Sequence, residues 1–182
     1  MKNLEAQDGV LNLFPIMANI RVLIKMELGS CRWEKSLKAC VWSVTTDAFH
    51  EALCIGELCA RRSGCFDRKF NLLKQDVEIT SSKGVESLDI KLKHSKIFLG
   101  QAEIINLAGS GSAICPVRAY KRVAQLTKHL QEDSTAFATT DGKPNTKQKF
   151  TELIRKLLKP VLANYRKISG HSFRMHAQQP WL

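Results

Sequence analysis

Long apolar runs are missing from this sequence. No stretch stays apolar for the roughly 20 residues that a bilayer-crossing helix needs, which excludes a helical membrane span. The opening Met1-Lys2-Asn3-Leu4-Glu5-Ala6-Gln7-Asp8 is polar and lacks the apolar core of a secretory signal. An intracellular protein with no membrane partner is expected, compatible with the nucleus, an address no motif specifies. Paired cysteines are missing too. Cys31, Cys40, Cys54, Cys59, Cys65 and Cys115 form no Cys-x-x-Cys. His50, Cys54, Cys59 and Cys65 are close in sequence but irregularly spaced, so no zinc pattern is completed and no metal is expected. Free, mostly buried thiols are the expectation. Ala108-Gly109-Ser110-Gly111-Ser112 lacks the Gly-Lys-Ser/Thr ending of a phosphate-binding loop. Tyrosine is scarce, with Tyr120 and Tyr165 alone. Acidic residues are few: 17 Asp and Glu against 28 Lys and Arg, a net charge of +11. That balance favours a polyanionic partner, nucleic acid first. The basic residues are spread along the chain, as on a folded surface.

What is present is one domain's worth of patterned chain. A hydrophobic fraction of 44% over 182 residues suits a single packed unit. Residues 1–14 have no strong period. From Pro15 to Leu28 the residues Ile16, Ile20, Leu23 and Ile24 share one helical side, and Gly29-Ser30 ends it. A second helix is expected near Trp33, with Leu37, Cys40, Val41, Val44 and Ala48 in a stripe that runs on into Phe49, Leu53, Ile55 and Leu58. Thr45-Thr46-Asp47 is the expected break or cap between two helices. Trp33 and Trp42 read as core residues.

Past Gly64 the period changes. Residues 76–80 alternate as a strand, 81–84 read as a turn, and Leu88, Ile90 and Leu92 alternate with Asp89, Lys91 and Lys93. Residues 103–107 supply a third strand after a turn near 97–101. Cys115-Pro116 opens a helix to about Leu130, and Asp141-Gly142 makes a turn. Thr146 caps a helix whose Phe150, Leu153, Ile154, Leu157, Leu158, Val161 and Leu162 hold one face, with Pro160 kinking or ending it. Its other face carries Lys147, Lys149, Arg155, Lys156 and Lys159, a solvated basic face or one that tracks a phosphate backbone. The expected class is mainly α with a small antiparallel β-sheet, α+β.

Near the end, Ser169-Gly170-His171-Ser172-Phe173-Arg174 places His171 and Arg174 three apart, on one side of a helical turn. Arg offers a planar fork of donors to two phosphate oxygens. His donates a hydrogen bond or carries a proton near neutral pH. Four further stretches precede this pair: Ala52 to Leu58, Leu88 to Lys96, Ser112 to Ala119, and Asp141 to Pro144 leading into the Phe150 helix.

In that order they resemble the catalytic domain of tyrosine recombinases, the phage-integrase family, as carried by eukaryotic mobile elements. The resemblance implies a recombinase-like domain over residues 15–177, a loose segment before it and a truncated tail over 178–182. It implies DNA strand exchange without metal or cofactor, by attack of a tyrosine hydroxyl on a DNA phosphate. By the same resemblance Lys96 is the general acid on a β-hairpin, His171 and Arg174 are phosphate ligands, and Glu57 supports the first arginine position. That arginine position falls on Cys54. The family's nucleophilic tyrosine follows its second arginine, whereas Tyr120 and Tyr165 both precede His171. Arg61 and Arg62 lie about two turns beyond Cys54, and Trp181 follows Arg174 too soon to match the family's later Trp.

The expectation is therefore a DNA-binding domain derived from a recombinase, with duplex DNA as partner, that has lost strand cleavage. A second copy or a full-length recombinase is a further compatible partner. Three other readings fit the same residues: a recombinase completed by a partner's tyrosine, a helical protein-interaction module, and a mobile-element fragment without retained function.

Overall fold

The computed structural model describes residues 18–60, 64, 66–93 and 102–173. Its elements are α1 (Ala18–Ser30), α2 (Lys35–His50), α3 (Ile55–Leu58), β1 (Val77–Ser82), β2 (Val85–Leu92), β3 (Glu103–Ala108), α4 (Pro116–Leu126) and α5 (Lys147–Leu158). Two short 3-10 turns, Lys74–Asp76 and Tyr165–Lys167, complete the order. The fold is α+β, with a three-stranded antiparallel sheet ordered β1-β2-β3 on which α4 packs, and the remaining helices packed on one another and, through α2, on α4. Pro15, Ile16, Arg61, Arg62, Cys65, Lys96, the expected turn at 97–101, Arg174, Ala177 and Trp181 lie outside the described residues.

In α1 the apolar residues Ile20, Ile24 and Leu28 recur every four positions and are all buried. α2 follows as one continuous helix, which corrects the expected break. Thr45, Thr46 and Asp47 lie inside it and are fully buried. The Thr45 hydroxyl donates to the Val41 carbonyl at 2.7 Å, and the Thr46 hydroxyl to those of Ser43 and Trp42 at 2.8 and 3.1 Å. Hydroxyls satisfied by their own helix do not need to cap it. Trp42 belongs to the core, whereas Trp33 precedes the helix and is only half-buried.

The sheet follows the alternation closely. Leu88, Ile90 and Leu92 are buried on one face, and Leu88 pairs with Ile79 on one side and Leu107 on the other. The β1–β2 turn is tighter than the expected four residues. Ser82 pairs with Val85, leaving Lys83 and Gly84 at φ of 51° and 78°. Two positive φ values make the two-residue hairpin turn whose twist matches the strands. Beyond β3 the chain passes so close to β2 that a Cβ on Gly109 would stand 2.7 Å from the Glu86 carbonyl oxygen.

α4 begins as expected, with Cys115 as N-cap and Pro116 at the first turn. It buries Val117, Tyr120 and Val123 against α2 and the sheet. It ends at Leu126 rather than near Leu130. There the Thr127 N–H and hydroxyl both go back to the Val123 carbonyl, and the Leu130 N–H goes to Thr127, a tight turn. α5 is capped as expected, with the Thr146 Oγ1 accepting from the Lys149 N–H at 3.1 Å. Phe150, Ile154, Leu157 and Leu158 are buried along it. The helix stops two residues before Pro160; beyond it Val161 is 43% exposed, while Leu162 still packs against the core.

Of the cysteines, Cys40, Cys54, Cys59 and Cys115 are buried, and Cys31 is half-buried. Burial pushes the Cys40 thiol up to about 12. Among the described residues no group of three or more His, Cys, Asp or Glu could hold a metal ion. No helix of the described residues is long and apolar enough to cross a membrane.

Candidate phosphate site at His171

The segment after the Tyr165–Lys167 turn is built to hold one side chain outward. Phe173 is buried against Phe150 of α5, ring centroids 5.7 Å apart. Arg155 Nε donates to the Ile168 carbonyl at 2.7 Å. Within the segment the Ser169 N–H donates to Ser172 Oγ at 2.9 Å and the Ser172 N–H returns to the Ser169 carbonyl at 3.1 Å. The His171 N–H donates to Ser169 Oγ at 3.2 Å. Residues 169–173 are therefore a closed turn, anchored to α5 by an aromatic contact and a guanidinium, with His171 exposed on its rim.

The same turn is docked on the start of α3. The Ile55 N–H reaches the Gly170 carbonyl at 3.4 Å, and Cys54 Sγ lies 3.4 Å from His171 Nδ1. Cys54 is the N-cap of α3, and its N–H donates to Glu57 Oε2 at 2.7 Å, closing a capping box. Cys54, Glu57 and His171 are thus brought together by the fold from positions far apart in sequence. Glu57 acts first as a helix cap. Lys96 and Arg174 are outside the described residues.

Sequence reasoning missed one neighbour of His171. Lys147, assigned to the general basic face of α5, lies with its stem across Gly170. A Cβ at Gly170 would meet Lys147 Cε at 2.4 Å and Nζ at 3.4 Å, and one at Gly56 would meet Cδ at 3.6 Å. Gly170 therefore leaves the room in which this half-buried side chain runs, with Gly56 in ordinary contact beside it. Among the described residues, no carboxylate makes an ion pair with its ammonium. Lys147 is also the first residue of α5, where the positive end of the helix dipole disfavours a cation, and Lys149 follows it with no acid in that turn. Positive charge placed against the dipole costs stability and concentrates potential for an anion. Lys147, Arg155, Ser169 and His171 line one groove of about 430 Å³, in which Glu152 is the single acid and accepts from Gln148 at 3.0 Å. The sequence signal for this grouping was Gly170, whose close approach to Lys147 shows only in the fold.

The two tyrosines stand apart in character. Tyr120 is buried edge-on against Phe137, centroids 5.9 Å apart, and burial pushes its hydroxyl well above the usual phenol range. Tyr165 is half-buried with the Arg166 guanidinium 5.7 Å above its ring and Arg166 Nε on its hydroxyl.

No protein-family model and no curated protein matches the sequence. The fold is similar to that of a solved structure, an FLP recombinase–Holliday junction complex, with a TM-score of 0.55 and 11% identity. The fold resembles that of FLP, a tyrosine recombinase. The match covers 86% of this chain and 38% of the FLP chain, so this chain spans well under half of FLP's length. At that identity the likeness concerns the fold alone.

Proposed function

We propose that this protein is a DNA-binding domain derived from the tyrosine recombinase catalytic fold, holding backbone phosphate at His171 without cleaving the strand. In this reading residues 15–177 form the recombinase-derived domain, and Lys96 and Arg174 are surviving phosphate-site positions. The observation that carries it is the 3.4 Å contact between Cys54 Sγ and His171 Nδ1. The Cys54 side chain, 5% exposed and unable to carry positive charge, occupies the inner side of the imidazole where charge stabilisation of a pentavalent phosphate calls for a cation. Loss of one preorganised charge contact of this kind costs on the order of 3 kcal/mol of barrier lowering. Phosphate binding survives such a loss, because it draws on several contacts. The net charge of +11 and the Lys147–His171 groove support the binding half of the proposal.

The test is titration of a short duplex and of supercoiled plasmid at increasing salt. Binding should weaken steeply, by about 10³-fold or more between roughly 50 and 200 mM salt if six or more phosphates are contacted. Denaturing gels should show neither nicked plasmid nor a covalent protein–DNA adduct. An adduct would refute the loss of cleavage, and no binding at low salt would refute the DNA-binding reading.

A further inference from the structure

A second concavity, separate from the His171 groove, lies where α1, α2 and the start of α4 meet. Its volume is about 450 Å³. Lys25 from α1, Lys35 and Lys38 from α2, and Arg118 and Arg122 from α4 converge on it, above a floor that includes Trp42, Ala39 and Ala119. None of its lining residues is acidic. Among the described residues none of the five cations is in an ion pair; the ion-paired cations are Arg68, Lys74, Lys93, Lys121 and Lys143. The nearest acid in sequence, Glu34, is turned to other partners, accepting from Ser36 Oγ at 2.6 Å and Thr140 Oγ1 at 2.7 Å.

Several details mark the grouping as more than surface charge. Lys25 Nζ sits 4.3 Å above the Trp42 ring, held over the floor. Burial, then the Arg118 guanidinium, hold the Lys25 ammonium below its usual range. Arg118 Nη2 donates to the Gly111 carbonyl and Arg122 Nη1 to Gln125 Oε1, which fixes both forks without neutralising them. Lys35, Lys38 and Arg118 also stand in the first turns of α2 and α4, against both helix dipoles. Five like charges lining one concavity repel one another and raise the local potential for an anion of comparable charge.

We infer that this cavity is a polyphosphate-binding site, taking a run of linked phosphates either from a free polyphosphate or from a nucleic-acid backbone. The backbone source rests on the DNA-binding reading above; the free source does not.

The experiment uses the full chain, inorganic tripolyphosphate and a short DNA duplex as probes. One variant carries Lys38→Ala, Arg118→Ala and Arg122→Ala. A second, matched in charge, carries Lys69→Ala, Lys91→Ala and Lys128→Ala, exposed cations outside the cavity. Without an anion the cavity variant should melt no lower than the parent, since its changes relieve repulsion. Tripolyphosphate should raise the Tm of the parent and change its intrinsic tryptophan fluorescence saturably. The cavity variant should lose affinity by about tenfold or more, as expected for three charge-assisted contacts, and the matched control should lose little. If tripolyphosphate does not bind but the cavity variant loses duplex affinity by that factor and the control does not, the backbone is the source. Equal losses in both variants, or no response to either probe, overturn the inference. A parent that binds tripolyphosphate but no DNA refutes the DNA-binding reading and leaves this one standing.

Discussion

The imidazole of His171 meets the thiol of Cys54 at 3.4 Å, across 117 residues of chain. One partner ends a capped turn pinned to α5, and the other starts α3. Neither the turn nor the helix alone makes the site; the contact between them does.

Lys147 and His171 should each contribute to DNA affinity. Lys147→Met keeps the apolar stem over Gly170 and removes one charge. Its affinity should fall, and the slope of log affinity against log salt should shrink by about one phosphate contact. His171→Ala should also weaken binding, with a change in slope no larger than that of Lys147→Met. Equal slopes for parent and Lys147→Met would remove Lys147 from the interface.

Gly170→Ala separates the groove from the fold. The new Cβ would lie 2.4 Å from Lys147 Cε, so the lysine stem must move, and as the far end of a flexible side chain it can. The expected result is a Tm within a few degrees of the parent and a DNA affinity close to that of Lys147→Met. A large Tm loss would show that the backbone, not the lysine, absorbs the collision.

Asp47 carries a pH signature. It is fully buried in α2, Ser43 Oγ reaches its Oδ2 at 3.3 Å, and its Oδ1 lacks a hydrogen bond among the described residues. Burial raises its carboxyl well above the usual 3.8, so the folded protein binds this proton more tightly than the unfolded chain does. Its contribution to stability is therefore fully present below about pH 4 and is lost as pH rises from there through the folded value. Asp47→Asn has no such proton to lose. Its Tm relative to the parent should rise with pH between about 4 and 8, by a few degrees, since about 1 kcal/mol is worth roughly 2–4 °C for a chain this size. A pH-independent difference would contradict the assignment.

Two stability changes test the supports of the His171 turn. Thr146→Ala removes the side-chain cap of α5 and should cost about 1 kcal/mol by denaturant melts. Phe173→Ala empties a fully buried site against Phe150 and should cost about 3–5 kcal/mol. Milder Phe173 losses would mean that the turn does not depend on this anchor.

Local signals in the chain were read correctly where one residue and its near neighbours decide the outcome. Thr146 caps because its own oxygen reaches an N–H three residues on. Pro116 opens α4 because its ring suits a first turn, and Leu88, Ile90 and Leu92 turn inward because a strand alternates. Thr45-Thr46-Asp47 was misread for an equally local reason: the same hydroxyls that cap a helix also bond back to its carbonyls, and only burial on all sides of α2 decides between them. Val161 was misplaced because Pro160 ends the helix that would have carried it inward.

The α+β class, the antiparallel strands, the capped basic helix and the excess of positive charge were determined by the sequence itself, since each follows from periodicity or composition. The pairing of Cys54 with His171, the course of Lys147 across Gly170 and the convergence of five cations near Trp42 were decided only by tertiary structure. Each depends on which helix ends meet. That is set by packing of the whole core, and no window of the chain contains it.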